Sequence, residues 1–314
     1  MDDRVRVAVV GVGNNTSALV QGINFYRRTG SLVGLHRPEI GGLGVGDIDF
    51  TAAFAMSAAK VGRDLHEAIF EPPNNFPRLG AELAAGGVTV ERGLVDPSGI
   101  ERVAQVLSGA EVLLYSAPSG RPAIAHAYAR AALEAGVAFI NTTSDPVARD
   151  QSLLTRFEEA GLPLIGDDLA SQFGVSVLHG ALLRLLAERG LTLTSSYQVN
   201  LGGTEDFRNL VEHPDTKKQS KLNALGADDR VAVAPLGYLP HLKSQKIAHL
   251  NLEAQGWGAT EVSLDVRLRV HDPSGAAGVN IDLIRLAAVA LRSGRGGYVA
   301  EAAGHLKSPP GAAV

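Results

Sequence analysis

The run Arg4-Val5-Arg6-Val7-Ala8-Val9-Val10-Gly11-Val12-Gly13, followed by Asn14-Asn15-Thr16-Ser17, decides the reading of this chain. Its valine-rich opening favours a buried strand. The two glycines end that strand in a tight turn, and helical spacing begins over Ser17–Tyr26. A strand, a glycine turn and a helix start together form the place where backbone N–H groups receive a pyrophosphate. The strict dinucleotide fingerprint asks for a third glycine, and Thr16 stands there. Taken alone, the motif is equally a turn that needs glycine, with Asn14, Asn15, Thr16 and Ser17 as ordinary helix caps.

Outward from that turn, apolar runs alternate with helix-period segments. Ile48–Phe54, Val88–Gly93, Glu111–Ser116, Val137–Asn141 and Leu162–Ile165 predict strands; Ile100–Leu107, Pro122–Ala135, Val147–Ala160 and Val175–Arg189 predict helices. Gly136, Gly161 and Gly190 are placed as helix stops. The glycine-rich stretch Arg27–Gly46 reads as a long loop. This alternation predicts an α/β fold, a Rossmann-like doubly wound parallel sheet. From Leu191 the texture changes. Leu191–Asn200, Val231–Pro235, Ile247–Leu252 and Thr260–Val270 are strand-like without regular intervening helices, which predicts an inserted mixed α+β sheet domain. Helical spacing returns over Ala276–Arg292. The expected division is residues 1–190 for dinucleotide binding, 191–272 for the mixed sheet, and 273–314 returning to the first domain.

Composition narrows the function. The 314 residues are 45% apolar and 20% charged, enough apolar content for a sizeable core. With 29 Lys+Arg against 33 Asp+Glu the net charge is −4, which supplies no general attraction to nucleic acid or to an anionic membrane. No uninterrupted apolar stretch reaches the roughly 18 residues of a membrane span. Met1-Asp2-Asp3-Arg4 leads straight into the first strand without a signal-peptide pattern, so a cytoplasmic enzyme is expected. The absence of cysteine excludes disulfides, thiolate metal sites and cysteine nucleophiles. The nine histidines form no HxH or HxxxH pair, so no metal site is predicted.

The basic residues are unevenly used. Only seven are lysines, and six of these (Lys217, Lys218, Lys221, Lys243, Lys246 and Lys307) lie after position 216. Clustered ammonium groups in an arginine-biased chain suggest sites where a compact, titratable cation is needed and a planar guanidinium will not serve. The plainer reading of Lys217–Lys221 is a solvated basic helix face. At the end of the second strand, where a carboxylate usually holds the adenosine ribose, stands Ala55. Either Ser57 holds the ribose or Arg63 meets the 2′-phosphate of NADP.

Several further segments complete a pattern. They are Val61-Gly62-Arg63-Asp64-Leu65, Gly166-Asp167-Asp168-Leu169-Ala170-Ser171-Gln172, Asn200-Leu201-Gly202-Gly203-Thr204-Glu205-Asp206-Phe207, Lys217 to Lys221, and Gln245-Lys246. Asp272-Pro273-Ser274 with Ala277-Gly278, and Leu306-Lys307-Ser308-Pro309-Pro310, close it. Together with the glycine turn, and in this order across nearly the whole chain, they resemble the short bacterial form of myo-inositol-1-phosphate synthase.

That resemblance implies an NAD-dependent cyclase, NAD being preferred to NADP, acting on a hexose 6-phosphate. The family's reaction oxidises C5, enolises toward C6, closes the ring by an aldol step onto C1 and returns the hydride, with no net redox. It also implies a homotetramer built through the mixed sheet, with a monovalent cation or Mg²⁺ beside the phosphate in some relatives. Such chemistry needs bases, cations where enolate charge develops, and donors for a phosphate dianion. An ammonium desolvated beside other cations exchanges protons near neutrality. By motif, Lys246 and Lys217 fall at the redox centre, with Lys307 and Lys221 beside the enolate and phosphate. Asp272 orients a lysine or relays its proton. Gly11, Gly13, Asn14, Asn15, Thr16, Ser116 and Asp168 fall to the cofactor. Ser171, Gln172, Gly174 and Ser176 form a phosphate cradle at a helix start, and Thr204 and Asp206 face the substrate. Singly, Asp272 or Ser171 reads as an ion pair or a cap; with Lys246 and Lys307 they read as one site.

Three departures concern the substrate end. Thr204 replaces the family's usual Asn, Ala170 replaces a lysine before the serine of the phosphate loop, and Ala234-Pro235-Leu236-Gly237 replaces a Pro-Ser-Asp segment. These suggest retained redox chemistry with altered substrate contacts. The alternative is therefore a variant closing a five-membered carbocycle from fructose 6-phosphate for carbocyclic nucleosides. An ordinary NAD(P)-dependent dehydrogenase and a non-catalytic nucleotide or sugar-phosphate sensor are the remaining classes.

Overall fold

The opening run becomes β1 (Val5–Val10), an interior strand of a seven-stranded parallel sheet. The structure, a computed structural model, describes residues 4–80, 83–212, 222, 224–226, 228–234 and 237–311. Alternate residues of β1 serve two cores. Val5, Val7 and Val9 pack on one side with Leu19 and Ile23 of α1 (Asn14–Thr29) and with Ile281 and Ile284. Ala8 and Val10 pack on the other with Val103, Tyr128 and Phe157. Burial on both faces is why the strand reads as a continuous apolar run, each buried valine contributing about 1.5–3 kcal/mol.

Around β1 the sheet is built from β4 (Ile48–Ala55), β5 (Val90–Arg92), β6 (Val112–Tyr115), β7 (Ala138–Asn141), β8 (Pro163–Ile165) and β14 (Gly297–Tyr298). Between β1 and β4 a small hairpin joins β2 (Glu39–Ile40) and β3 (Leu43–Gly44), inside the segment expected to be a plain loop. The order β5-β4-β1-β6-β7-β8-β14 reverses direction between β1 and β6, so the crevice at their carboxyl ends is the ligand position of a doubly wound sheet. Helices α2 (Leu65–Ala68), α3 (Ile100–Val106), α4 (Pro122–Ala135) and α5 (Gln151–Glu159) follow the strands. Helix α5 begins later than the apolar spacing suggests because Asp150 caps it, accepting from Ser152 N at 2.9 Å and Leu153 N at 3.1 Å.

The change of texture at Leu191 is a second, separate sheet, as expected. It contains β9 (Thr192–Gly202), β10 (Val231–Val233), β11 (Gly237–Tyr238), β12 (Gln245–Gln255) and β13 (Glu261–His271) in the order β10-β9-β12-β13, with β11 also beside β9. Strands β9, β12 and β13 pair antiparallel, while β10 and β11 run parallel to β9, so the sheet is mixed. Helix α6 (Val175–Glu188), which the expected division grouped with the first domain, packs Val175, Leu178 and Leu182 against Ala248, Leu250 and Leu252 of this sheet. On β12 the pleat puts Lys246 in register with Ala248 and Leu250, so its side chain leaves from the covered face.

The chain then returns to the first sheet. Helix α7 (Glu205–Glu212) follows β9, and α8 (Asp272–Arg292) follows β13 and packs against α1. By length and composition α8 could span a membrane, yet 72% of its apolar window is buried in the core, and it carries the buried pair Asp282 and Arg285.

Candidate active site: a cleft between the two sheets

A cleft of about 540 Å³ opens at the carboxyl ends of β1 and β6 and runs to the start of the second sheet. At one end stands the glycine turn. Gly11 (φ +95°) is pressed against β6, where a Cβ would meet Ser116 O at 2.4 Å; only glycine fits there. Gly13 is different: a Cβ on it would meet nothing within 4 Å, so its open side is free for a ligand. Gly13 supplies no side-chain cap to α1, which leaves the first amides of that helix facing the cleft.

Gly11, Gly13, Asn14, Asn15 and Ser116 all line this end. Thr16 does not: it is buried, and its hydroxyl donates to Gly11 O at 2.5 Å, bracing the turn from within. Asn14 accepts from the amides of Asn75 (2.8 Å) and Phe76 (2.9 Å), and Asn75 Nδ2 donates to Gly203 O at 3.1 Å. One short chain of amides thus joins the glycine turn to the Gly202-Gly203 turn of the second sheet.

The lysine outside the cluster, Lys60, also lies here, a residue to which the sequence reading gave no role. It is only 4% exposed, and its ammonium donates to Val12 O (2.6 Å) and Asn74 Oδ1 (2.8 Å) beneath the glycine turn. Burial pulls its pKa down to about 8, against a weaker opposing pull from Glu71. Arg63, considered for a 2′-phosphate, instead bonds Ala59 O at 2.9 Å and pairs with Glu71 at 3.2 Å. Ala55 and Ser57 both line the cleft, so the ribose end has a hydroxyl where a carboxylate would be usual.

At the other end two ammonium–carboxylate pairs line the cleft. Lys246 Nζ donates to Asp272 Oδ1 at 3.0 Å and stands 5.8 Å from the centre of the Phe207 ring. Lys307 Nζ pairs with Asp168 Oδ1. The main chain builds the second pair: Lys307 N donates to Asp168 O at 2.7 Å, Asp167 and Ser308 exchange amide bonds, and Leu169 bridges Leu306. Asp167 anchors this turn by accepting from Val147 N, Ala148 N and Asn141 Nδ2. Burial pushes its carboxyl up, although those donors and Arg149 pull the other way. Among the described residues, both lysines are aimed by carboxylates; the crowding of ammonium groups expected from the sequence involves Lys217 and Lys221 as well. Lys217 and Lys221 lie outside the described residues.

Five helices start at this cleft, α4 among them with Asp145 accepting from Gly120 N and Arg121 N at its start, and the first turns of the other four differ. Those of α7 and α8 carry acidic residues, Glu205 with Asp206 and Asp272 respectively. Those of α1 and α6 carry none and have glycine caps, Gly13 and Gly174. Positive helix ends without local compensation are places for anions, and here there are two. Ser171, Gly174, Ser176, Thr204 and Asp206 line the cleft near α6 and α7, as does Ala170. Gln172 does not; its amide turns away to donate to Gly34 O at 2.8 Å. Asn280 Oδ1 and Tyr115 Oη, on residues lining the cleft, are buried without a hydrogen-bond partner among the described residues. Such atoms call for a polar ligand. Neither residue carries a sequence signal, since each sits mid-pattern in an apolar element.

Fold and cleft together define a Rossmann-type α/β protein whose switch-point crevice carries paired ammonium and carboxylate groups beside two bare helix ends. Residues 174–273 match the family model of myo-inositol-1-phosphate synthase. The chain is 37% identical to the inositol-3-phosphate synthase of Mycolicibacterium smegmatis, over 98% of this chain and 93% of that protein. It is 53% identical to Ari2, whose crystal structure superposes with a TM-score of 0.90 over 98% of this chain and 93% of that one. A myo-inositol-1-phosphate synthase-related protein from Thermotoga maritima, 22% identical over 98% of this chain and 93% of its own, shares the fold with a TM-score of 0.80. The chain belongs to the myo-inositol-1-phosphate synthase family.

Proposed function

We propose that this protein is a dinucleotide-dependent sugar-phosphate cyclase, converting a hexose 6-phosphate to a cyclitol phosphate with no net redox. The observation that carries the reading is that Lys246–Asp272 and Lys307–Asp168 line the same cleft as the open glycine turn. The cleft also fits a dinucleotide: space at Gly13, bare amides at α1 and unpartnered polar atoms on Asn280 and Tyr115. Gly13, Asn14, Asn15 and Ser116 would hold it, Ser57 would meet the ribose, and Lys60 would add positive charge below the pyrophosphate. NAD is preferred to NADP because Arg63 is engaged with Glu71 and Ala59. A dinucleotide held there would supply reversible hydride exchange with C5.

The remaining steps belong to side chains. Lys246 and Asp272, 3.0 Å apart, are the pair that handles the C5 hydroxyl proton. Lys307, steadied by Asp168, sets an ammonium where the enolate oxygen develops charge. The bare start of α6, with Ser171 and Ser176, receives the phosphate dianion. The motif matches assign Lys217 to the redox centre and Lys221 to the phosphate. A homotetramer formed through the second sheet and a cytoplasmic setting accompany this reading.

A second reading rests on Ala170 and Thr204, which line the substrate end and replace a lysine and an asparagine of the family pattern. With those contacts changed, fructose 6-phosphate closing to a five-membered carbocycle fits the retained chemistry. Incubation with the dinucleotide and each hexose phosphate, followed by NMR of the product, separates the two. Inositol phosphate as sole product removes the second reading. Steady accumulation of reduced nicotinamide with a single substrate, followed by its absorbance, removes both in favour of a simple dehydrogenase.

A further inference from the structure

We propose that His36, Asp282 and His305 form a binding site for a divalent transition metal of the zinc class, separate from the catalytic cleft. None of the three lines that cleft. They come from positions so far apart that histidine spacing carries no hint of them: the loop after α1, the middle of α8, and the 3₁₀ turn Ala300–His305. Their candidate ligand atoms all lie within 4.8 Å of one another.

The geometry converges on one oxygen. Asp282 is buried, and its Oδ1 accepts from Arg285 Nη2 at 2.5 Å. That leaves Oδ2 facing His36 Nδ1 at 2.9 Å and His305 Nε2 at 3.9 Å. The imidazole rings stand 5.2 Å apart at 83°, edge to face, so that neither blocks the other's approach to the carboxylate. Tetrahedral zinc with nitrogen and oxygen ligands at about 2.0–2.2 Å separates neighbouring ligand atoms by about 3.3 Å. The two observed separations bracket that value. His36, its side chain 51% exposed, has room to open its 2.9 Å contact and leaves a solvent-facing coordination position, while His305 closes in from 3.9 Å.

Arg285 sets a positive charge beside this site. Its guanidinium, however, also donates to the carbonyls of Arg37, Pro38, Leu43 and Ile281, which solvate the cation and hold it on the Oδ1 side of Asp282. Its bond to Oδ1 fixes the carboxylate in the orientation that presents Oδ2, the part that outer hydrogen bonds play at metal sites. Bound metal would tie the His36 loop to α8 and to the turn two residues before Lys307. That loop is already linked to the Ser171-Gln172 turn through Gly34 O. The ion would brace two walls of the cleft from behind.

The test uses the full chain, freed of metal with a chelator and titrated with Co²⁺ or Zn²⁺ alone, without dinucleotide or sugar phosphate. The expected result is one equivalent bound, the visible absorption of low-symmetry Co²⁺, and a raised melting temperature. His36→Gln, which keeps a donor for Asp282 but removes the imidazole, should weaken binding at least about tenfold. His305→Gln should do the same. No binding overturns the proposal, and so does binding unaffected by His36→Gln. Metal released instead by Asp272→Asn would place the ion in the catalytic cleft and also overturn it.

Discussion

Replacing Gly13 by alanine isolates the contribution of the glycine turn to cofactor binding from its contribution to folding. The backbone at Gly13 (φ −96°, ψ −164°) is open to any L-residue, and the new methyl would touch no protein atom within 4 Å. As an N-cap, alanine is worse than glycine by about 0.5–1 kcal/mol. A chain of this size should then melt only about 1–2 °C lower. In the complex the methyl occupies the approach of the pyrophosphate to the α1 amides. Overpacking of that kind costs about 1–3 kcal/mol, which is about 5–150-fold in Kd. Calorimetric titration with NAD, paired with thermal melts, reads both quantities. Gly11→Ala is the contrasting variant: its Cβ would stand 2.4 Å from Ser116 O at a φ of +95°, so it should damage the fold itself. Wild-type affinity in Gly13→Ala would refute the placement of the dinucleotide at this turn.

Four other outcomes are expected. Lys246→Met and Lys307→Met should each lower kcat by about 10²–10⁴-fold while dinucleotide Kd, measured by titration, changes only a few-fold; full turnover in either would end its assigned role. Lys60 is charged below about 8 and neutral above, so dinucleotide affinity should fall as pH rises from 7 to 9, and Lys60→Met should flatten that profile. Its folded pKa lies below the ordinary 10.5, the unfolded chain therefore holds more protons in between, and stability relative to Lys60→Met should rise over that interval in denaturant titrations. Asn75→Ala removes bonds to Asn14 and Gly203 and should cost about 1–3 kcal/mol in chemical unfolding, at about 0.5–1.5 kcal/mol per bond.

How much could be read in advance depended on whether the controlling physics is local. The alternation of β-branched runs and helix-period segments announced the doubly wound sheet because each strand of a parallel sheet is buried on both faces. The loss of intervening helices after Leu191 announced the mixed sheet for a different reason: antiparallel neighbours need no crossover helix, and these strands bury only one face. Helix α7 was not foreseen, since its short stretch follows directly on Gly202-Gly203 and its acidic first turn resembles a polar loop. The placement of α6 was not foreseen either. An apolar helix face is equally satisfied by either neighbouring sheet, and only the assembled core settles which.

At the candidate site the division is sharper. Glycine at positions 11 and 13, the clustered lysines and the ordered motifs belong to the sequence, because residue type limits backbone conformation and chemistry before any folding occurs. Which ammonium meets which carboxylate does not: Lys246 and Asp272 are 26 residues apart, Lys307 and Asp168 139. The same holds for Lys60 beneath the glycine turn, for the unpartnered oxygen of Asn280, and for the convergence of His36 and His305 on Asp282. Such encounters are decided by strand order and by the packing of α8. These bring distant residues within the few ångströms over which charge and hydrogen bonding act.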